Sequence, residues 1–494
     1  MDADEFRVAA KQLTDYIADY IEGLRDRPVL PDVQPGYINA LVPASAPETG
    51  EPWEKLFNDI EGVVMRGMTH WHSPRFHAYF PTANSYPAIC GDMLSAAIAC
   101  IGFTWNAAPS CTELEMKMMD WLAQMLALPE HFCFSSGQGG GVIQGTASES
   151  TLIALLCARV QLLKERGLQH KVTDADDEGN EAKYEVMSRL VAYTSSQAHS
   201  SVQKAAMLSA TRIRLLPVDE ANGLSLDADV LAKTIEQDRR KGLIPFIVIA
   251  TLGTTNTCAF DNLQTIGPVC KDKAVFSKQE NIWLHVDAAY AGSAFICPEY
   301  RQYMEGIEYA DSFTMNPHKW LLVNFDVNAF WVKNKELIEK AFNVHPEYLK
   351  HENEGKIPDY RHWQIPLGRR FRSLKMWFVF RSYGVSGLQN HIRKQIELAH
   401  LFGDLLQKDD RFEMVDQIRM GLVCFRLKGN NAMNEELINS INKSGDIFLT
   451  PTKVKERFII RFAVCARTTN EKDIHYSWNV IKKFADSVLA KWNS

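Results

Sequence analysis

Asn281-Ile-Trp-Leu-His-Val-Asp287-Ala-Ala-Tyr-Ala-Gly292 is the stretch whose reading decides the fold. Residues 282–286 form an apolar run of strand length that delivers one carboxylate, Asp287, at its C-terminal end. Small residues follow and let another group approach the backbone. In an open α/β sheet ligands bind at that edge. Downstream, Asn316-Pro-His-Lys-Trp320 sets Lys319 among Phe313, Met315, Pro317 and Trp320, where desolvation favours a neutral, nucleophilic amine. Each residue also has an ordinary reading. A strand-end aspartate often caps or pairs, and a lysine beside tryptophan often snorkels to solvent.

Around this stretch, residues 86–335 alternate helical patterns with short apolar runs at 190–193, 244–251 and 282–286. Runs without polar alternation suit parallel strands covered on both faces, which predicts an α/β architecture. Residues 174–181 are acidic and contain glycine, and read as a surface loop. Beyond residue 375, helical patterns at 388–406 and 434–444 accompany strand-like 421–427 and 458–464, a smaller α+β domain. Residues 6–24 carry apolar side chains at three- and four-residue spacing, an amphipathic helix stopped by Pro28 and Pro31. A Pro-rich linker follows, so the helix must lie on the main domain or on a second subunit. The boundaries expected are an N-terminal helical arm over 1–85, a large domain over 86–374 and a small domain over 375–494.

Of the 494 residues 46% are hydrophobic and 23% charged, ordinary for a globular protein with a large core. A net charge of −6 with scattered basic residues gives no footprint for nucleic acid. Arg369-Arg370-Phe371-Arg372 lies in an apolar block and reads as pairing or packing. No apolar run approaches the roughly 18–20 residues needed to cross a bilayer. The acidic start has no apolar signal segment, and ten cysteines without a CxxC pair point to reduced cytosol and no metal site.

Three further features surround the acid and the lysine. Residues 139–149 place glycines and small hydroxyl residues before a helical run, where backbone N–H groups bind phosphate well. Thr251-Leu-Gly253-Thr254-Thr255 is a second small-residue turn after a strand. His199 follows the strand ending near Tyr193, where an imidazole can stack on a flat cofactor or simply hydrogen-bond in its loop. His318 suits a phosphate contact or packing. An acid for a pyridinium nitrogen plus a Schiff-base lysine is what pyridoxal 5′-phosphate (PLP) requires of a protein.

The ordered set His70-Trp-His-Ser-Pro74, Ala78-Tyr-Phe-Pro-Thr82, His199, His285-Val-Asp287-Ala-Ala-Tyr-Ala-Gly292, Asn316-Pro-His-Lys-Trp320 and Asp359-Tyr-Arg-His-Trp-Gln-Ile-Pro-Leu-Gly368-Arg-Arg-Phe-Arg-Ser373 resembles the aromatic-L-amino-acid decarboxylases. These belong to the group II PLP-dependent decarboxylases, and the likeness spans nearly the whole chain. It implies the fold-type-I PLP-dependent transferase fold, with a mainly parallel seven-stranded sheet, and a cytoplasmic homodimer. Lys319 would carry PLP, Asp287 would pair with the pyridine nitrogen, and His199 would stack on the ring. Ala147, Ser148, Thr255 and Asn316 would cradle the phosphate, with His318 beside them. Thr82 would meet the substrate carboxylate. Trp71, Tyr79, Phe80, Ile101 and Phe103 would line an aromatic pocket, some from the partner subunit. Residues 342–355 are polar and end in glycine, as an active-site flap does. Taken alone Tyr348 anchors that loop; the resemblance makes it the proton donor to the substrate Cα.

The implied reaction is decarboxylation of L-DOPA and 5-hydroxytryptophan to dopamine and serotonin. Histidine decarboxylases carry Ser where Gly368 and His318 stand here, and insect-type tyrosine decarboxylases carry Ser at the former. Aldehyde synthases of the family replace His199 with Asn or Tyr348 with Phe. A scaffold without PLP would lack Lys319 or Asp287. The chain departs from its relatives' pattern at Asn106-Ala107-Ala108, which bears on substrate preference. Arg66-Gly-Met68, the long stretch 271–281 and Val327-Asn328 also depart and read as structural.

Overall fold

A computed structural model describes residues 1–168, 177–271, 281–343 and 349–493. Contacts divide the chain into two compact units, residues 82–394 and residues 1–81 with 395–494. In the larger unit seven strands form one sheet among the described residues: β1 (Gly140–Gln144), β2 (Leu190–Ser195), β3 (Arg212–Leu216), β4 (Ile244–Thr251), β5 (Trp283–Asp287), β6 (Ser312–Met315) and β7 (Asn328–Val332). Their order is β1-β7-β6-β5-β4-β2-β3. Neighbours from β3 to β6 pair in parallel, and β7 alone runs against both β6 and β1. The expected mainly parallel sheet is present.

Every residue of β2, β4 and β5 is buried, which is why their sequences lack polar alternation. Helices Ala147–Glu165 and Ser200–Leu208 supply Ile153, Ala154, Ala158, Val202 and Ala205 to a core that includes Ile247, Trp283 and Phe330. Each large apolar side chain buried this way contributes about 1.5–3 kcal/mol. The edge strand β3 is the exception. Arg212 and Arg214 leave it partly exposed, and charge on an edge discourages further pairing.

Two sequence readings are corrected here. Residues 174–181 read as a loop, yet the helix Asp177–Ser188 begins within that span; residues 174–176 lie outside the described residues. The glycines at 139–141 read as part of a turn, but Gly140 and Gly141 lie within β1. A Cβ on Gly140 would meet the Phe134 ring at 2.5 Å, and one on Gly141 would meet Trp331 and Met119 at 2.6 Å. Packing, not phosphate, requires them. Most of the long stretch 271–281 also lies outside the described residues.

The smaller unit contains β8 (Phe412–Met414), β9 (Leu422–Leu427), β10 (Thr450–Val454) and β11 (Arg457–Ala463), an antiparallel sheet in the order β10-β11-β9-β8. Phe402 stacks on Phe462 in its core with centroids 3.7 Å apart. Helix Glu471–Asn493 adds Ile474, Trp478, Ile481 and Val488 at helical spacing, a pattern the sequence reading passed over. The N-terminal helix Ala3–Glu22 starts on an Asp2–Glu5 capping box. It buries Ala9 and Ile21, while Phe6, Val8 and Leu13 stay exposed. Among the described residues no helix is long and apolar enough to cross a membrane.

The arginine cluster does pair. Arg369 and Glu115 are fully buried against one another; Glu115 accepts the N–H of Ile143 (2.8 Å), and Arg369 lies 4.6 Å from the Tyr360 ring centroid. Removing one partner strands a charge in the interior. Arg369→Met should therefore lower stability by about 3–5 kcal/mol, read from urea unfolding. A loss under about 1 kcal/mol, the scale of a surface pair, would show that the pair is dispensable.

Candidate active site

Asp287 is the last residue of β5, and β5 lies beside β6 with Asp287 level with Thr314. The chain leaves β6 at Met315, passes Asn316 and makes the short helix Pro317–Trp320 that carries Lys319. Adjacent strand ends thus bring the acid and the lysine to one edge of the sheet. Asp287 is 4% exposed. Its Oδ1 accepts the N–H of Ala289 (3.0 Å), and its other oxygen takes no hydrogen bond from a described residue. Lys319 is half-buried. Tyr290 stacks on Trp320 with centroids 4.7 Å apart, which stiffens the turn.

His199 caps the helix Ser200–Leu208, which follows β2. Its Nδ1 accepts the N–H of Ser201 (3.2 Å) and lies 2.8 Å from the Ser201 hydroxyl, so the ring proton belongs on Nε2. Desolvation first, and then Lys319, push this imidazole below its ordinary value; Asp287 opposes them. Both charges therefore act on His199, and it stands neutral near pH 7.

Gly145 and Thr146 carry the chain from β1 into the helix Ala147–Glu165. The Thr146 hydroxyl accepts the N–H of Glu149 (3.2 Å), and Glu149 accepts the N–H of Gly145 (3.1 Å). The N–H groups of Ala147 and Ser148 keep no such partner among the described residues. An anion is well held there. After β4, Gly253 has φ +88° and leaves no room for a Cβ, which would lie 2.6 Å from the Ala291 Cβ. Thr254 is spent inside this turn, accepting the N–H of Ala259 (3.0 Å), whereas the Thr255 hydroxyl bonds no described residue. Donors, a carboxylate oxygen and a lysine suit PLP's phosphate, pyridine nitrogen and aldehyde.

Thr82 joins the lysine turn through its neighbour: Ala83 N–H donates to the carbonyl of His318 (2.6 Å). Ile101, Phe103 and Gly368 gather separately. Gly102 N–H donates to the Arg369 carbonyl and Arg361 N–H to the Phe103 carbonyl, while a Cβ on Gly368 would meet Ile101 at 3.7 Å. Trp71, Tyr79 and Phe80 belong to the smaller unit, where Trp71 stacks on Tyr79 with centroids 5.4 Å apart. Tyr348 lies outside the described residues; beyond it, His351 is held by Asp359 at 2.9 Å. Asn328 is a functional candidate the sequence reading passed over, although Val327-Asn328 stood out as a departure.

His318 is buried, with Nδ1 accepting the N–H of Val327 (2.9 Å). Burial and the Lys319 charge push its pKa down to about 3 from 6.5. A histidine depressed in the fold stabilises it above about pH 6.5 and loses that contribution as the pH falls towards 3. His318→Asn keeps an acceptor for Val327 without titrating. Its urea midpoints should fall less steeply with acid over that window, and a slope equal to wild type would exclude His318 as a contributor.

Residues 35–428 match the pyridoxal-dependent decarboxylase conserved domain. The chain is 57% identical to an aromatic-L-amino-acid decarboxylase of Manduca sexta, over 98% of this chain and 92% of that one. A solved structure of Oryza sativa TDC with PLP and tryptamine is 38% identical, has a TM-score of 0.92, and is covered over 99% of both chains. A 4-hydroxyphenylacetaldehyde synthase of Rhodiola rosea is 36% identical with a TM-score of 0.89, covering 99% of each chain. On sequence and fold alike, the chain belongs to the pyridoxal-dependent decarboxylase family.

Proposed function

We propose that the chain decarboxylates aromatic L-amino acids, converting L-DOPA to dopamine and 5-hydroxytryptophan to serotonin, as a cytoplasmic homodimer. The observation that carries this is the placement of Asp287 at the end of β5 and Lys319 in the short helix after the neighbouring β6, with one Asp287 oxygen taking no hydrogen bond from a described residue. Bound PLP supplies an electron sink for the pair of electrons left at Cα when carbon dioxide departs. Lys319 holds the cofactor through its amine. The spare Asp287 oxygen accepts the pyridine N–H and keeps that nitrogen protonated. Ala147, Ser148, Thr255 and Asn316 hold the phosphate. His199 stacks as a neutral ring, with its Nε2–H directed to solvent or substrate. Thr82 binds the substrate carboxylate, and Tyr348 returns the proton to Cα. Gly368 beside Ile101 leaves space for a catechol or indole.

The chain is also similar to the synthase noted above, so the products decide. With L-DOPA or 5-hydroxytryptophan the wild type should release amine and carbon dioxide in equal amounts. Lys319→Ala should lose both turnover and the near-visible absorbance of lysine-bound PLP; normal activity would end the assignment. Tyr348→Phe should yield less amine and, consuming oxygen and water, more aldehyde, ammonia and peroxide. Wild-type amine output from that variant would move the proton donor elsewhere.

The homodimer rests on the N-terminal helix, whose Phe6 and Val8 are more than half exposed in the single chain. Such a face needs cover, and a second subunit supplies it. Residues 1–85 then act as an assembly arm. Sedimentation of the full chain should give a dimer, and deletion of residues 1–30 should impair it. An active full-length monomer would contradict the arm.

A further inference from the structure

Asn328 opens β7, which runs against both of its neighbours, β1 and β6. Its first residue therefore lies at the edge where the parallel strands end, level with Gln144 of β1. The side chain is completely buried, and every polar atom it has is used. Its Oδ1 accepts from the hydroxyls of Ser150 and Thr314 (3.1 Å to Thr314). Its Nδ2 donates to the Met315 carbonyl (3.1 Å), to the Thr314 hydroxyl (2.9 Å) and to Oδ1 of Asn316. Ser150 stands in the first turn of the helix that begins at Ala147. One amide thus ties the start of that helix to Asn316.

The polarity of this chain of bonds is fixed. The Met315 carbonyl can only accept, so the Asn328 amide must face it with nitrogen. The same nitrogen reaches Asn316, which must then answer with oxygen. Asn316, 3% exposed, is left with its NH2 pointing away from Asn328 and without a hydrogen bond to any described residue. That NH2 is available to donate to a bound acceptor.

We propose that Asn328 is a positioning residue that sets which end of the Asn316 amide meets the cofactor phosphate, presenting the donor and withholding the oxygen. This rests on the PLP reading of the site.

Apoenzyme titrated with PLP and with pyridoxal, which lacks the phosphate, tests it by cofactor absorbance. Asn328→Asp has the same shape and, at a pH high enough to ionise its buried carboxyl, cannot donate to Asn316. Its Kd for PLP should rise roughly ten- to a hundredfold, the worth of a hydrogen bond to a charged group, while the Kd for pyridoxal stays near wild type. The added charge alone would also repel phosphate, so the measurement is repeated in an Asn316→Ala background. If the effect passes through Asn316 it should largely vanish there. An equal loss for both ligands, or an undiminished loss in that background, overturns the proposal. Should Asn328→Asp fail to fold, a crystal structure of the wild-type holoenzyme decides: Asn316 Nδ2 on a phosphate oxygen supports it, and no such contact overturns it. A wild-type chain that binds neither ligand removes the PLP reading itself and this inference with it.

Discussion

A strand buried on both faces offers no place along its length for an ionised group, because the charge would lose its water without gaining a partner. β5 works within that constraint. Its interior histidine, His285, is held far below its ordinary value by burial and pairs with the Ser312 hydroxyl at 2.8 Å, so it stays neutral. The ionisable carboxylate is deferred to the last residue, where Ala289 N–H supports it and the other oxygen takes no hydrogen bond from a described residue. Everything that converges on Asp287 does so because this is where the interior of the sheet stops. Lys319 arrives from the end of β6, His199 from the end of β2, and Thr255 from the end of β4.

The site is stiff in a particular way. Its polar groups are mostly oriented by backbone atoms, whose donor or acceptor character cannot be exchanged. Val327 N–H sets the tautomer of His318, Ser201 N–H sets that of His199, and the Met315 carbonyl sets the amide of Asn328. A side chain oriented by another side chain can flip with it; one oriented by the main chain cannot without unfolding its element. Preorganisation of this kind reduces what binding must later supply.

The features legible in the sequence were those whose cause is local. An apolar run ending in aspartate, a lysine boxed by aromatic residues and a helix repeat are all visible within a dozen residues. The glycines of β1 were not, because their reason is Trp331, nearly two hundred residues away, and a glycine run looks the same whether it cradles an anion or makes room for an indole. The helix Asp177–Ser188 hid behind an acidic composition that also suits a loop. Arg369 was legible as a paired residue but not by partner, since Glu115 lies on a distant helix. Asn328 stood out only as an unusual residue; its meaning lies in four neighbours drawn from two distant stretches of the chain.

The reversed strand has a consequence for how the molecule is made. β1 and β7 are joined residue to residue, yet the sheet's five other described strands all lie between them in the chain. Closing so long a loop is entropically unfavourable until the intervening sheet exists, so this pairing belongs to the late stages of folding. Among the described residues the Asn328 amide links the first turn of the helix Ala147–Glu165, through Ser150, to Asn316. A nascent or misassembled chain therefore has the lysine and the aspartate before it has a finished grip on an anion. Retention of the cofactor becomes a report on whether the sheet has closed.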